Sequence, residues 1–278
     1  MMFELKKKVM KYRVTASIVL YKNPPSILLE SINSFLNAVT DARLVLVDNS
    51  PTPELEHISA DPRIEYIFNN RNIGFGAAHN IAIKKVSGDT SYHLILNPDI
   101  SFPGEALTRA LQFMDTREDV GLVMPKILYD NGDIQYLCKL LPTPFDLIMR
   151  RFIPGFLTPI FGTRLNKYEL KHMDYNVQME VPSLSGCFML VRTKVLEETL
   201  GFDERYFMYL EDVDLVRRIG QHNKTVYFPE SVVYHRYEKG SYRSRKLLFW
   251  HIRSAVQYFN KWGWFLDRER ARINRKYL

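Results

Sequence analysis

Three short acidic segments stand in separate parts of this chain: Val47-Asp48-Asn49-Ser50, Asn97-Pro98-Asp99 and Glu211-Asp212-Val213-Asp214. Each sets a carboxylate at or just past the end of an apolar run. Strand ends are where an open α/β sheet builds its ligand crevice. Carboxylates gathered there suit three tasks: holding a divalent cation, hydrogen-bonding a nucleotide base, or taking a proton from a hydroxyl.

Asp99 follows Leu94-Ile95-Leu96 directly, and Pro98 stiffens the turn that projects it. One carboxylate plus phosphate oxygens is the usual way to hold Mg2+ or Mn2+. An isolated Asn-Pro-Asp is more often a turn or a helix cap. Asn72-Ile73-Gly74-Phe75-Gly76-Ala77-Ala78-His79-Asn80 follows another apolar run. Its glycines let backbone approach a ligand, and the helix it opens offers N–H groups. It is neither a dinucleotide fingerprint nor a phosphate loop, and alone it reads as a tight turn. In the third segment Glu211 and Asp214 share a helical face, with Asp212 about 100° away. Aromatic Tyr206, Phe207 and Tyr209 precede it, so the acids are partly buried and need partners or a function. His235 ends Val232-Val233-Tyr234. A lone histidine is usually structural, but opposite Asp99 it completes a metal shell.

The elements that position these residues alternate. Ala16 to Tyr21, Leu44 to Val47, Ile64 to Phe68, Tyr92 to Leu96 and Val120 to Met124 read as strands. Helical spacing lies between them: Ile27, Leu28, Ile32, Phe35 and Leu36; then Gly74 to Val86; then Pro103 to Met114. This alternation predicts parallel βαβ units and a nucleotide-binding half. Beyond Tyr129 the pattern changes. Leu137 to Pro182 holds five prolines and reads as an irregular excursion over the site. Cys187 to Val191 returns as a strand, Leu210 to Ile219 is a helix, and Lys246 to Trp264 gives one or two amphipathic helices.

The chain has 278 residues and a formal charge of +7. From Arg236 onward twelve Lys or Arg face three Asp or Glu, so the excess lies in the tail. A basic tail suggests an anionic surface, membrane or nucleic acid. No apolar run approaches the roughly 20 residues of a membrane span. The basic stretch Met1 to Arg13 lacks a signal core, which predicts a cytoplasmic protein. Cys138 and Cys187 are too few for a zinc site and read as buried thiols.

As an ordered set these segments resemble the inverting family 2 glycosyltransferases of the GT-A fold, over about Ala16 to Tyr237. Ser185-Gly186-Cys187-Phe188-Met189-Leu190-Val191, Gly201-Phe202-Asp203-Glu204 and Phe207 to Leu215 add to the match. The details look most like bacterial rhamnosyltransferases that use dTDP-L-rhamnose in O-antigen and lipopolysaccharide assembly. The resemblance implies an α/β fold with a Rossmann-like, mostly parallel sheet, helices on both faces and C-terminal amphipathic helices. It divides the chain into a transferase domain, 1–237 (nucleotide-binding half about 14–130, acceptor-binding half about 131–237), and an appendage, 238–278.

Roles carry over residue by residue. Asp48 would bond the pyrimidine base. Tyr21, Asn72, Gly74, Phe75, Gly76, Asn80 and Gly186 would line the nucleotide sugar. Asp99 would bind Mg2+ or Mn2+ with Asn97 and His235. Asn97 stands where the family has the first acid of its D-x-D, and a neutral amide is the poorer ligand. Asp212 would be the catalytic base, and Glu211 would help place the reactants. The implied donor is a dTDP-sugar, or a UDP-sugar on the same scaffold. The implied acceptor is a saccharide on a polyprenyl diphosphate, reached from the cytoplasmic face of the inner membrane. Trp250, Phe259, Trp262, Trp264 and Phe265 would enter the anionic membrane interface beside Arg243, Arg245, Lys246, Arg253 and Lys261. The alternative for these aromatics is packing on the core. Nucleic acid is not the expected partner, because the acidic crevice repels phosphates and no RNA or DNA motif appears. Intact Asp48, Asp99 and Asp212 argue against an inactive scaffold.

Overall fold

The computed structural model describes residues 10–152, 158–236 and 245–278. The start of the basic N-terminal stretch, Tyr237 and Arg243 lie outside these residues. The first half runs β1 (Tyr12–Leu20), α1 (Pro25–Ala38), β2 (Ala42–Asp48), β3 (Ile64–Phe68), α2 (Phe75–Val86), β4 (Thr90–Leu96), β5 (Ile100–Ser101), α3 (Gly104–Thr116) and β6 (Val120–Leu128). Then come α4 (Pro144–Phe152), α5 (Thr158–Tyr168), β7 (Met179–Glu180), β8 (Phe188–Arg192), α6 (Thr193–Glu198), α7 (Glu211–Ile219) and β9 (Lys224–His235). Two helices, α8 (Arg245–Trp262) and α9 (Arg268–Asn274), follow.

One sheet takes the order β3-β2-β1-β4-β8-β6-β9-β5, with β7 on β9. The pairs among β3, β2, β1 and β4 are parallel, as is β6 with β9. β8 runs against both of its neighbours. The sheet is thus mostly parallel, and its two faces are both covered. Leu44 and Leu46 of β2 join the core with Leu28, Ile32 and Phe35 of α1. Val45 and Val47 pack instead with Ala78, Ala82 and Val86 of α2. A strand buried on both faces reads as a continuous apolar run, which is what Leu44 to Val47 shows.

β1 begins four residues before its apolar run because its polar residues are paired inside. Thr15 Oγ1 meets His93 Nδ1 at 2.8 Å, and Ser17 Oγ meets His93 Nε2 at 2.8 Å and His79 Nδ1 at 2.7 Å. Burial lowers both imidazoles, His93 to about 3.

The segment expected to be irregular holds two helices. Thr143 caps α4: its N–H and hydroxyl both reach Asp146 Oδ2, at 3.0 and 2.6 Å, and Asp146 N–H returns a bond to its oxygen at 3.2 Å. This is a capping box with proline at the first helical position, so prolines start structure here as well as break it. Asp146 also pairs with Arg164 at 3.0 Å, joining α4 to α5.

The tail is packed onto the rest of the molecule. Arg217 of α7 is buried and makes a bidentate pair with Asp267, at 2.7 and 2.9 Å. Asp214 accepts from Lys261 at 2.7 Å and from the Trp262 indole at 2.8 Å. Trp250 stacks on Phe207 with centroids 4.1 Å apart. The compositional boundary at 237/238 is therefore not a boundary in packing.

Candidate active site

The crevice is assembled at the carboxyl end of β4. Antiparallel pairing sets Leu96 opposite Phe188, and Asn97 N–H donates to Cys187 O at 2.9 Å. One residue earlier, Gly186 N–H donates to Asp212 Oδ2 at 3.0 Å. This short relay brings the first turn of α7 beside the Asn97-Pro98-Asp99 turn. A side chain at 186 would have its Cβ 3.1 Å from Asp212 Cβ, so glycine permits the approach. Val213 N–H donates to Asp212 Oδ1 at 2.8 Å. Two backbone donors thus orient the carboxylate, and each oxygen keeps a lone pair for a substrate.

On the other side, β5 pairs with the end of β9, Ile100 opposite His235. That register sets His235 Nε2 3.4 Å from Asp99 Oδ1. Asp99 Oδ1 is buried and accepts no hydrogen bond among the described residues. The far ring nitrogen, Nδ1, lies 3.0 Å from Gln135 Oε1, while Gln135 Nε2 donates to His235 O at 2.8 Å. The amide so oriented asks Nδ1 to carry the proton and leaves the Nε2 lone pair toward Asp99. That is the tautomer a metal needs, with its outer partner in place. No group of three or more His, Cys, Asp or Glu converges among the described residues. A carboxylate and an imidazole fit Mg2+ or Mn2+ completed by phosphate oxygens. Gln135 has no motif around it, and sequence reading missed it.

Glu211 is 5% exposed, and its Oε2 has no hydrogen-bond partner among the described residues. Burial, with Asp212 beside it, raises its pKa well above the usual carboxylate range. Two residues in left-handed conformation lead into this turn, Tyr209 at φ 71° and Leu210 at φ 64°. Non-glycine residues avoid that region, and such strain collects at functional sites.

Several residues expected to contact the ligand make internal contacts in this structure. Asp48 is fully buried; Tyr66 O–H donates to its Oδ2 at 2.6 Å and Ser50 N–H to its Oδ1 at 2.7 Å. These bonds hold the end of the strand. Asn80 is buried too, accepting from Phe202 N–H and donating to Phe202 O, both at 2.8 Å. Gly74 has φ 94°, and a Cβ there would lie 2.4 Å from Phe207 O. Phe75 N–H donates to that carbonyl at 3.0 Å, so the first N–H of α2 is not free for phosphate. Asn72 Oδ1 accepts from Gly74 N–H at 3.0 Å. Gly76 packs against Phe202. The glycine segment is therefore a dock for the 201–207 loop, which feeds α7. Tyr21 is exposed at the end of β1, and Asn97 is half-buried beside Asp99.

The crevice opens into a cavity of about 850 Å³. Glu211, Asp212, His235 and Gln135 line it, with Lys139 and Arg150 from the segment after β6. Lys139 also went unrecognised in the sequence. Burial and the Arg150 charge lower its ammonium to about 8, against the opposing pull of Asp212.

Comparison with known proteins agrees with this architecture. The glycosyl transferase family 2 model matches residues 17–200. The N-acetylglucosaminyl-diphospho-decaprenol L-rhamnosyltransferase of Mycobacterium tuberculosis is 26% identical over 206 residues, covering 69% of this chain and 66% of that protein. Rhamnosyltransferase WbbL of Escherichia coli K12 is 28% identical over 218 residues, 73% of this chain and 74% of WbbL. Among solved structures, GalNAc-T7 with UDP, GalNAc and Mn2+ superposes with a TM-score of 0.61 at 16% identity, over 81% of this chain and 43% of that one. The fold is GT-A, and the chain belongs to glycosyl transferase family 2.

Proposed function

We propose that this protein transfers L-rhamnose, with inversion, from dTDP-β-L-rhamnose to a hydroxyl of a polyprenyl-diphosphate-linked sugar in cell-surface polysaccharide assembly. The observation that carries the reading is Asp212, held by Gly186 N–H at 3.0 Å on the same edge as the Asp99–His235 pair. The rhamnosyltransferase relatives support the sugar, and the mycobacterial name supports the lipid carrier. An acceptor hydroxyl has a pKa far above neutral, so a carboxylate must take its proton as the new bond forms. Asp212 fills that role. Glu211, buried beside Asp212 with its pKa raised by burial, helps place the reactants. Asp99 and His235, with Asn97 beside them, would hold Mg2+ or Mn2+, which offsets charge on the departing nucleoside diphosphate. One base and one displacement convert the β donor to an α linkage.

A membrane surface suits the carrier. Among the described residues no helix is long and apolar enough to cross a membrane. Phe259, Trp262 and Lys261, expected at the interface, are instead built into the packing around α7, and Trp250 is half-buried on Phe207. Phe249, Ile252 and Val256 of α8 remain exposed on one face, with Phe265 and Leu266 beyond its end. Arg245, Lys246 and Arg253 flank that face. It suits the cytoplasmic leaflet, where each basic residue adds on the order of 1 kcal/mol.

Incubation with Mn2+, a lipid-linked acceptor and either dTDP-rhamnose or UDP-hexoses tests the donor. The expected result is a product one deoxyhexose heavier, α-linked by NMR, from dTDP-rhamnose alone. Transfer from a UDP-hexose alone would replace rhamnose with that sugar.

A further inference from the structure

We propose that Lys139 and Arg150 form an anion subsite that grips the diphosphate joining the acceptor sugar to its lipid. This rests on the reading above and names the residues that recognise its substrate class. Both side chains line the cavity that holds Asp212. Lys139 is pinned by its own N–H, which donates to Ser183 O at 2.9 Å, three residues before the Gly186 that orients Asp212. No ion pair engages its ammonium among the described residues; it senses Asp212 and Glu169 as charges only, and Arg150 opposes it. Arg150 and Lys171 share one carboxylate, Glu169, at 3.4 and 2.6 Å. Lys171 also lies over the Tyr136 ring, 5.4 Å from its centroid. This wall therefore carries more positive than negative charge.

A cation withdrawn from water beside a second cation calls for an anion. The anion is a diphosphate because two cations of different geometry converge: a guanidinium fork and a point-like ammonium. It belongs to the acceptor because the cluster stands on the segment after β6 and on α4. The donor side of the crevice is built at the ends of β1 to β4.

Calorimetric titration with geranyl diphosphate in EDTA-containing buffer tests this without sugar transfer. The full chain is expected to bind geranyl diphosphate and to ignore geraniol. K139Q and R150Q should each weaken binding at least about tenfold, while dTDP binding with Mn2+ stays unchanged. Wild-type binding should also fall as pH rises through about 8, where Lys139 loses its proton. Equal affinity in wild type and K139Q overturns the subsite. A parallel loss of dTDP binding also overturns it, because the cations would then serve the donor. Failure of rhamnosyl transfer with this binding intact would count against the functional reading alone.

Discussion

Neighbouring polar residues of α7 are of the same kinds and have opposite surroundings. In its first turn Glu211 is buried with an oxygen that has no hydrogen-bond partner among the described residues, and Asp212 is held by two backbone N–H groups and faces a cavity. Two residues further on in the same turn, Asp214 is fully buried and saturated: Arg218 at 2.8 Å, Lys261 at 2.7 Å and the Trp262 indole at 2.8 Å. Arg217, in the last turn, is closed in the same way on Asp267. Closed polar groups fix a helix in place, while open ones meet a substrate. The tail supplies Lys261, Trp262 and Asp267 to the closed groups, so it braces the strained entry at Tyr209 and Leu210 that aims the open acids. The same distinction separates buried Asp48 from Asp99.

Variants can break this contrast. Among the closed groups, Arg217→Leu takes the bidentate guanidinium from a buried Asp267. The cost of removing one partner of a buried pair is about 3–5 kcal/mol. A urea midpoint lowered to match is expected, and an unchanged midpoint would show that the brace is unimportant. In the crevice, Asp99→Ala should abolish the part of dTDP binding that depends on Mn2+ and leave the EDTA value alone. Gln135→Leu removes the outer partner of His235 and should weaken Mn2+ response about 10–100-fold. Equal losses with and without EDTA would make either residue merely structural.

The remaining effects depend on pH. Glu211 holds its proton in the fold longer than in the unfolded chain. Stability should therefore fall as pH rises from about 4.5, and Glu211→Gln should flatten that fall in melting scans from pH 5 to 9. His93 behaves oppositely. Its folded value is about 3 against 6.5 unfolded, so stability should be lost as pH falls between these values, by at most about 1.4 kcal/mol per pH unit for one proton. His93→Gln, which keeps polar atoms for Thr15 and Ser17, should lessen this acid sensitivity. An unaltered acid limb would assign it elsewhere.

Sequence reading reached what periodicity and chain position encode. Runs such as Leu44 to Val47 announce strands buried on two faces, and an acid after such a run marks the crevice edge. It could not tell which acids are closed. Asp48 and Asp99 follow similar runs, and only the tertiary arrangement supplies the Tyr66 hydroxyl to one and the His235 ring to the other. Asn80 was legible as polar in a helix start, but its partner, Phe202, lies 122 residues away. Gln135 and Lys139 sit outside regular elements, with no spacing to betray them. The basic, aromatic tail reads as a surface because composition counts charges and cannot see Lys261 on Asp214 or Trp250 on Phe207.

The most direct test is Asp212→Asn, which keeps size and shape but cannot take a proton. Measured under saturating donor and acceptor, kcat is expected to fall about 10²–10⁴-fold, with donor affinity as in wild type and a small drop in melting temperature, because Nδ2 cannot accept from one of the two backbone N–H groups. A variant retaining more than about a tenth of the wild-type rate would contradict the assignment of the base and return the search to the rest of the crevice.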